Sequence, residues 1–404
     1  MRINLVKTYN YLAALICIAI PFMTYAKAFV NICMICLFLI FVISFNKQKL
    51  YEIVRQKYII AFAVFLFFVV SYSLLNGSFF VDFSETRKLA QIIFLTILFS
   101  LVEDKRFLIY GFILGVFIST LITDFNIINY YINSFDFLIS KSSVEELFIT
   151  QRLYLGILVV ISIVLLSFLF NTFNTKEQRI LYAILILYFV FTLFLISSRS
   201  ALLIAFLLFI TAIIYKSKSI YTPIIMAASL AIFSIIIITN KNLSNRFLYS
   251  EDSVRKSFVE KVKTHEPRYD IWKFSFEIFK EQNIGLLGIG TYRTQELLVA
   301  KYRLMPIEKR RNWFIERNFN THNQYVDIVL SFGFIGLILF VIFLKEIIML
   351  SFKNIYSLSL ILSLILFLTI ENLFHRQLGS FIFALILILA THITNLKDEK
   401  DISS

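Results

Sequence analysis

The sequence predicts an all-α polytopic membrane protein. Hydrophobic residues make up 59% of its 404 residues and charged residues only 16%, whereas soluble domains are nearer half apolar and a quarter charged. The apolar residues recur in runs of roughly 17–20, the length at which a helix crosses about 30 Å of hydrocarbon. Because backbone polar groups in lipid must be paired within their own segment, these runs are predicted to be helices.

About twelve transmembrane helices are predicted. They cover residues 9–25, 28–45, 57–75, 88–101, 107–124, 153–170, 180–196, 200–215, 221–239, 324–343, 355–374 and 378–393. The chain then divides into nine helices in residues 1–239, a large outer loop in 240–323, and three helices with a short tail in 324–404. Within the loop, Arg268 to Lys280 carries apolar residues at helical spacing after Pro267, which predicts an amphipathic helix.

The basic residues predict the side on which each loop lies. With both termini in the cytoplasm, 16 of the 39 Lys and Arg fall in inner segments, 7 in short outer segments and 16 in loop 240–323. Long loops cross largely regardless of charge, so this distribution follows the positive-inside rule. The net charge of +13 therefore needs no nucleic-acid partner. All three cysteines lie in apolar runs, which predicts neither a disulfide nor a cysteine metal site.

Charged residues at the outer ends of the predicted helices are the candidate functional groups, because membrane helices rarely carry charge without a reason. Arg199 lies in a short turn between two spans, Arg268 begins the amphipathic helix, and His322 stands where the loop re-enters the membrane. A weaker cluster between the last two spans comprises Glu371, His375, Arg376 and Gln377. Each residue alone also has a structural explanation, such as snorkelling for Arg199 or a solvated loop charge for Arg268.

These residue types suit a lipid pyrophosphate. Arginine binds phosphate oxygens with two parallel hydrogen bonds and keeps its charge. A neutral histidine can accept a proton from an attacking hydroxyl. No Asp-rich motif indicates a divalent metal, so arginine would stabilise the departing charge.

Two local patterns give the chain a resemblance. One is Arg, three residues, then Leu, at Arg199 to Leu203. The other is His-Asn, nine residues, Gly, two residues, Gly, running from His322 to Gly336. The chain resembles the superfamily of O-antigen ligases and O-antigen polymerases, which are type C glycosyltransferases of the bacterial inner membrane. Arg268 and Trp272, followed by Gly288-Ile289-Gly290, also look like the loop of that family.

The resemblance implies transfer of a glycan from undecaprenyl pyrophosphate to a sugar hydroxyl of lipid A-core on the periplasmic face. The reaction is expected to be inverting and metal-independent, with no cofactor. His322 is expected to be the base, and Arg199 and Arg268 are expected to bind the pyrophosphate. The implied partners are the lipid-linked glycan, the lipid A-core acceptor and membrane lipids. Further candidates on the same outer face are Lys88, Arg152 and Arg376.

Other functions remain open at this point. A polymerase of the same superfamily would join repeat units to each other. A protein O-oligosaccharyltransferase is another relative, although such chains usually have a larger soluble C-terminal part. A transporter or flippase would place charged groups near mid-membrane on broken helices. The predicted spans are nearly free of charge, which favours an enzyme at the membrane interface.

Overall fold

A computed structural model describes residues 2–134, 142–172, 175–217, 220–250 and 257–403. Lys141, Lys218, Arg255 and Lys256, counted above among the basic residues, lie outside these ranges. All regular structure in the described ranges is helical. The α-helices are α1 (Arg2–Ala19), α2 (Met23–Ile43), α3 (Lys47–Val54), α4 (Lys57–Leu75), α5 (Phe79–Ser100), α6 (Arg106–Ser134), α7 (Arg152–Thr172), α8 (Lys176–Ile196), α9 (Arg199–Lys216), α10 (Thr222–Thr239), α11 (Lys241–Leu248), α12 (Phe258–His265), α13 (Pro267–Glu281), α14 (Thr291–Arg303), α15 (Glu308–Arg317), α16 (Gln324–Ser351), α17 (Ile355–Leu368) and α18 (Gln377–Ser403).

The chain is a multi-pass membrane protein. Nine segments of the described residues are long and apolar enough to cross a membrane, and each of the twelve predicted segments overlaps a helix. The two numbers differ for three reasons. The segment Leu5–Ile43 counts once although it holds α1 and α2, α17 is a shorter apolar helix, and α5 begins with a charged first half. The count of twelve and the division into three parts stay predictions.

The helices α1 and α2 fold back on each other. Leu5 and Val6, near the start of α1, line the same small cavity as Ile40 and Phe41, near the end of α2. A 3₁₀ turn at Ile20–Phe22 that contains Pro21 separates the two helices. Proline lacks the amide hydrogen and fixes φ, so it ends α1 at this turn and not at residues 26–27, where the two predicted spans 9–25 and 28–45 divide.

One end of the bundle gathers the linkers that are predicted to be cytoplasmic. Lys49 forms an ion pair with Glu103 at 3.1 Å, and the Glu103 amide donates to Asn10 Oδ1. Tyr215 Oη donates to the Lys353 carbonyl at 2.8 Å. The opposite end, where Arg199 contacts Glu266 of the loop, is called the site end below. The side on which each linker lies, and which end faces the cytoplasm, stay predictions.

The segment α12–α15 has a hydrophobic core of its own. The amphipathic helix predicted after Pro267 is confirmed as α13, which buries Ile271 and Ile278. Tyr302 of α14 and Phe314 of α15 are fully buried in the same cluster. Leu330 of α16 also belongs to this cluster, so the loop packs on the first turns of α16, directly after His322.

A break in α16 receives the loop backbone. Gly333 has φ 69° and ψ −167°, a region that only glycine adopts readily. Segment 285–290 runs through the break and donates or accepts four backbone hydrogen bonds of 2.8–3.1 Å with α16: Ile289 N to Leu330 O, Gly290 N to Ser331 O, Phe334 N to Gly285 O, and Ile335 N to Leu286 O. The helix amides and carbonyls freed by the break are therefore satisfied by the loop.

Two glycines, Gly333 of the His-Asn pattern and Gly288 of the loop, are required by this contact. A Cβ on Gly333 would lie 2.4 Å from the Leu286 carbonyl oxygen, and one on Gly288 would lie 2.4 Å from the Phe332 amide nitrogen. At Gly336 an added Cβ would lie 2.5 Å from the Phe332 Cβ of the same helix and 3.5 Å from Phe68 of α4, an ordinary contact distance. The first glycine of the His-Asn pattern thus admits the loop, and the second avoids a clash with Phe332.

The substitution Gly333→Ala is expected to loosen the loop. It forces a side chain into a glycine-only conformation, which costs about 1–3 kcal/mol, and it also clashes with the Leu286 carbonyl. We expect a lower unfolding temperature in detergent and faster proteolysis within α12–α15.

Gly285→Ala is the matched control, because an added Cβ there meets nothing within 4 Å. Equal stability of the two variants would contradict the role given to the break.

Candidate functional site

A buried carboxylate, Glu371, lies at the centre of the site end. Its side chain is only 2% exposed, and its Oε2 lies 2.9 Å from His322 Nδ1. On the other side, Tyr154 Oη donates to Oε1 at 3.4 Å, and Arg376 Nε lies 3.8 Å from Oε1. Glu371 thus joins the loop, α7 and the link between α17 and α18.

Glu371 is ionised and fixes the tautomer of His322. Burial raises the pKa of Glu371, but the hydrogen bond from His322 and the charges of Arg376 and Arg268 outweigh it and lower the pKa below its ordinary value. A carboxylate can only accept hydrogen bonds, so Nδ1 of His322 carries the proton. The other ring nitrogen, Nε2, is then free to accept a proton in the neutral imidazole.

The backbone around His322 is held in an uncommon conformation. His322 has φ 45°, a left-handed region that few residues other than glycine adopt. The Asn320 side chain accepts from the His322 amide at 3.0 Å, and Asn323 caps the first turn of α16. Trp272 Nε1 donates to the Thr321 carbonyl at 3.0 Å. Neighbours on both sides therefore fix the direction in which the imidazole points.

Arg199 and Arg268 meet on one carboxylate, Glu266. Arg199 Nη2 lies 2.6 Å from Glu266 Oε2, and Arg268 Nη1 lies 3.1 Å from Oε1. Arg199 Nη1 also donates to Tyr249 Oη at 2.9 Å. Burial raises the pKa of Glu266, but the two guanidinium charges outweigh it and keep the pKa below its ordinary value. Two cations share one anion, which leaves an excess positive charge beside the loop.

Arg268 links the arginine pair to the His322–Glu371 pair. Its Nε and Nη2 donate to the Ile370 carbonyl at 3.3 and 3.1 Å, and Ile370 precedes Glu371 in the chain. The structure therefore brings together three predicted site residues, Arg199, Arg268 and His322, through two carboxylates at the site end.

A second histidine organises Lys88. His375 Nε2 lies 2.9 Å from Asp327 Oδ2, and its Nδ1 lies 3.6 Å from Glu85 Oε2. Burial lowers the pKa of His375, but Asp327 and Glu85 outweigh it and raise the pKa above its ordinary value. Lys88 Nζ forms an ion pair with Glu85 at 2.7 Å and donates to the His375 carbonyl at 2.8 Å. Lys88 is thus held by two groups around this imidazole.

The remaining predicted residues, Arg152 and Arg376, lie beside Glu371 and the arginines. Arg376 is 40% exposed, with its guanidinium over the Tyr154 ring at 5.3 Å. Arg152 is buried, with its guanidinium 4.8 Å from the Phe148 ring centroid, and it interacts electrostatically with Arg199. Burial and the charges of Arg152 and Arg199 lower the pKa of Arg246 to about 9, so a further arginine that the sequence did not single out belongs to this cationic region.

Of the carboxylates that hold these groups, sequence reasoning selected only Glu371, which stood with His375 in the weaker cluster. Asp327 lies within the His-Asn pattern, where it could have been noticed. Glu266 is one of ten acidic residues in loop 240–323, and only its place before Pro267 and Arg268 distinguishes it. Among the described residues, no group of three or more His, Cys, Asp or Glu is arranged to hold a metal ion.

Comparison with known proteins gives one family. Residues 181–341 match the family model described as O-antigen ligase. No curated protein matches the chain. The matched part includes Arg199, Arg268, His322 and the break at Gly333, and it excludes Glu371 and Arg376. Over residues 181–341, the chain is therefore similar to O-antigen ligases.

Proposed function

We propose that this protein is an O-antigen ligase of the bacterial inner membrane. It transfers a glycan from undecaprenyl pyrophosphate to a sugar hydroxyl of lipid A-core on the periplasmic side, with both termini in the cytoplasm. The observation that carries the proposal is the pairing of His322 with the buried Glu371 at 2.9 Å, next to two arginines that share one carboxylate.

In the proposed reaction His322 is the general base. Nε2 accepts the proton of the acceptor hydroxyl, and the acceptor oxygen forms a bond to the anomeric carbon of the donor. The bond from that carbon to the pyrophosphate oxygen breaks, and the electron pair leaves with the pyrophosphate. Attack opposite the leaving group inverts the anomeric configuration. Glu371 stabilises the imidazolium that forms, as a carboxylate does for other catalytic histidines.

Arg199 and Arg268 are proposed to hold the pyrophosphate. Guanidinium groups bind phosphate oxygens bidentately, and fixed cations stabilise the charge that develops on the leaving group. Glu266 keeps both guanidinium groups in place before substrate binds and offsets only one of their two charges. Arg152 and Lys88 add positive charge at the same end of the bundle, and no step of the proposal requires a metal or a cofactor.

A polymerase is the second candidate. It would use the same donor and the same site but accept a second lipid-linked chain. The His-Asn pattern and the basic character of loop 240–323, with 16 basic and ten acidic residues, favour the phosphate-rich lipid A-core. This charge argument favours a ligase, because lipid A-core carries more phosphate than a single pyrophosphate.

The two candidates predict different lipopolysaccharide from a deletion strain. Loss of a ligase leaves bare core lipopolysaccharide while long polymer accumulates on undecaprenyl pyrophosphate. Loss of a polymerase leaves core capped with one repeat unit, and that pattern on a silver-stained gel would contradict the ligase proposal. Restoration of the ladder by the wild-type gene is the control.

The arginine proposal predicts poor rescue by lysine. Arg199→Lys keeps the charge but loses the planar two-point contact with a phosphate, so kcat/KM should fall at least roughly tenfold, the value of one charge-assisted hydrogen bond. Arg293→Lys is the control, because within the described part of the chain Arg293 pairs with Glu296 alone, on an exposed face of α14. If Arg199→Lys retains nearly full activity, Arg199 serves as an interfacial charge and does not grip the pyrophosphate.

The base proposal predicts a large loss on removal of the imidazole. His322→Ala should lower turnover by roughly two to four orders of magnitude, while the protein still inserts and elutes as a single species. We expect wild-type activity to persist in EDTA. Turnover near the wild-type value in purified His322→Ala would remove His322 from the mechanism.

A further inference from the structure

A large open cleft lies at the site end, on the side away from the arginine pair. It has a volume of about 1090 Å³ and is bounded by α2, α5, the start of α7 and the link into α18. Cavities for small ligands usually measure roughly 300–1,000 Å³, so this cleft can hold a sugar headgroup together with part of a lipid chain. Arg199, Arg268 and His322 do not line it.

The rim of the cleft is cationic. Lys27, Arg87, Lys88 and Arg376 line it, and among the described residues Glu145 is the one acidic residue in the lining. Lys27 and Arg87 are exposed and form no ion pair within the part of the chain that the structure describes. Two cations that are not neutralised at the mouth of a cleft attract phosphate.

Apolar side chains also line the cleft. They are Met23, Met34, Ile35, Phe94 and Leu378. The neighbouring outward face of α2 is also exposed and apolar at Phe29, Ile32 and Leu39, so the cleft adjoins the hydrocarbon of the membrane. Methionine side chains adapt to irregular apolar chains. A lining that combines cations with apolar side chains matches an amphiphile with a phosphorylated headgroup.

The cleft reaches the catalytic pair from the side opposite His322. Tyr154 and Arg376 line the cleft and contact Glu371 through Oε1, whereas His322 contacts Oε2. Glu371 and its partners therefore form a wall between the cleft and the proposed base. A lipid seated in the cleft is separated from the arginine pair and can extend a glycan of several sugars above this wall.

We propose that the cleft binds the phosphorylated lipid portion of the acceptor glycolipid. This inference rests on the proposed function. The reaction joins two substrates that are each anchored in the same membrane leaflet, so each lipid needs its own place at the site end. The arginine pair holds the donor pyrophosphate, and the cleft is the second place with both positive charge and access to the membrane.

Binding to the purified full-length protein in detergent tests the inference without turnover. The probes are lipid A-core lipopolysaccharide without O-antigen, undecaprenyl pyrophosphate, and dioleoyl phosphatidylglycerol. The double variant Lys27→Ala/Arg87→Ala should weaken binding of the lipopolysaccharide at least tenfold and leave binding of undecaprenyl pyrophosphate within twofold. Ala90→Trp, which fills the cleft without a change of charge, should have the same selective effect.

The matched control is Lys47→Ala/Lys57→Ala, which removes two exposed lysines at the opposite end of the bundle and should change no affinity. Unchanged lipopolysaccharide binding in both cleft variants would overturn the inference. A selective loss of undecaprenyl pyrophosphate would assign the cleft to the donor, and an equal loss of phosphatidylglycerol would make it a general lipid site; either result contradicts an acceptor site.

The failure of this inference is distinguishable from failure of the proposed function. If the wild-type protein restores the lipopolysaccharide ladder while both cleft variants bind the acceptor normally, only the cleft assignment is wrong. If the wild-type protein leaves the ladder of a deletion strain unrestored and lacks affinity for lipid A-core lipopolysaccharide, both fail together.

Discussion

The burial of the Glu371 carboxylate is the constraint on which the site end depends. An ionised carboxylate that is 2% exposed is costly unless charged and hydrogen-bonding partners surround it. Those partners come from three separate parts of the chain: His322 from the loop, Tyr154 from α7 and Arg376 from the link between α17 and α18. The hydrogen bonds and ion pair of Glu371 therefore fix the relative positions of these elements. They also determine which nitrogen of His322 can accept a proton.

The second constraint is the entry of the loop backbone into α16. Four backbone hydrogen bonds and two glycines without room for a Cβ place segment 285–290 in the break at Gly333. The hydrophobic cluster of α13–α15 includes Leu330, so the same turns of α16 carry both the loop core and the Asn323 cap. The left-handed backbone of His322 is thus supported from both directions, which is how a strained residue at a functional site is usually maintained.

The sequence predicted the helices well because lipid imposes a strong pattern on a spanning segment. Periodicity and Pro267 also predicted α13, and the His-Asn pattern with the Arg-x-x-x-Leu pattern selected residues that the structure places close together. The pairings of these residues could not be predicted in the same way. Glu371 was named as part of a weaker cluster, but it lies about fifty residues from His322, and nothing local in the sequence pairs the two or places Glu266 between Arg199 and Arg268. The turn between the first two spans was predicted at residues 26–27, whereas the structure places it at Ile20–Phe22.

Two carboxylates at the site end have distinct structural roles. Glu266 holds two guanidinium groups together against their mutual repulsion, and Glu371 orients an imidazole. Asp327 and Glu85 act similarly on His375 and Lys88. The cations that are proposed to bind substrate are therefore positioned by buried or partly buried acids, and such contacts are stronger where little water is present.

The central claim is that His322 and Glu371 act as one catalytic unit, and a double-mutant cycle on kcat/KM for glycan transfer tests it most directly. His322→Ala, Glu371→Gln and the double variant would be measured in reconstituted membranes, with unfolding temperatures recorded for each. If Glu371 acts through His322, adding Glu371→Gln to the His322→Ala variant should lower kcat/KM by less than about a further threefold. The effects of residues that work as a unit are strongly non-additive. Multiplication of the two single losses in the double variant would contradict the claim and assign Glu371 a separate role.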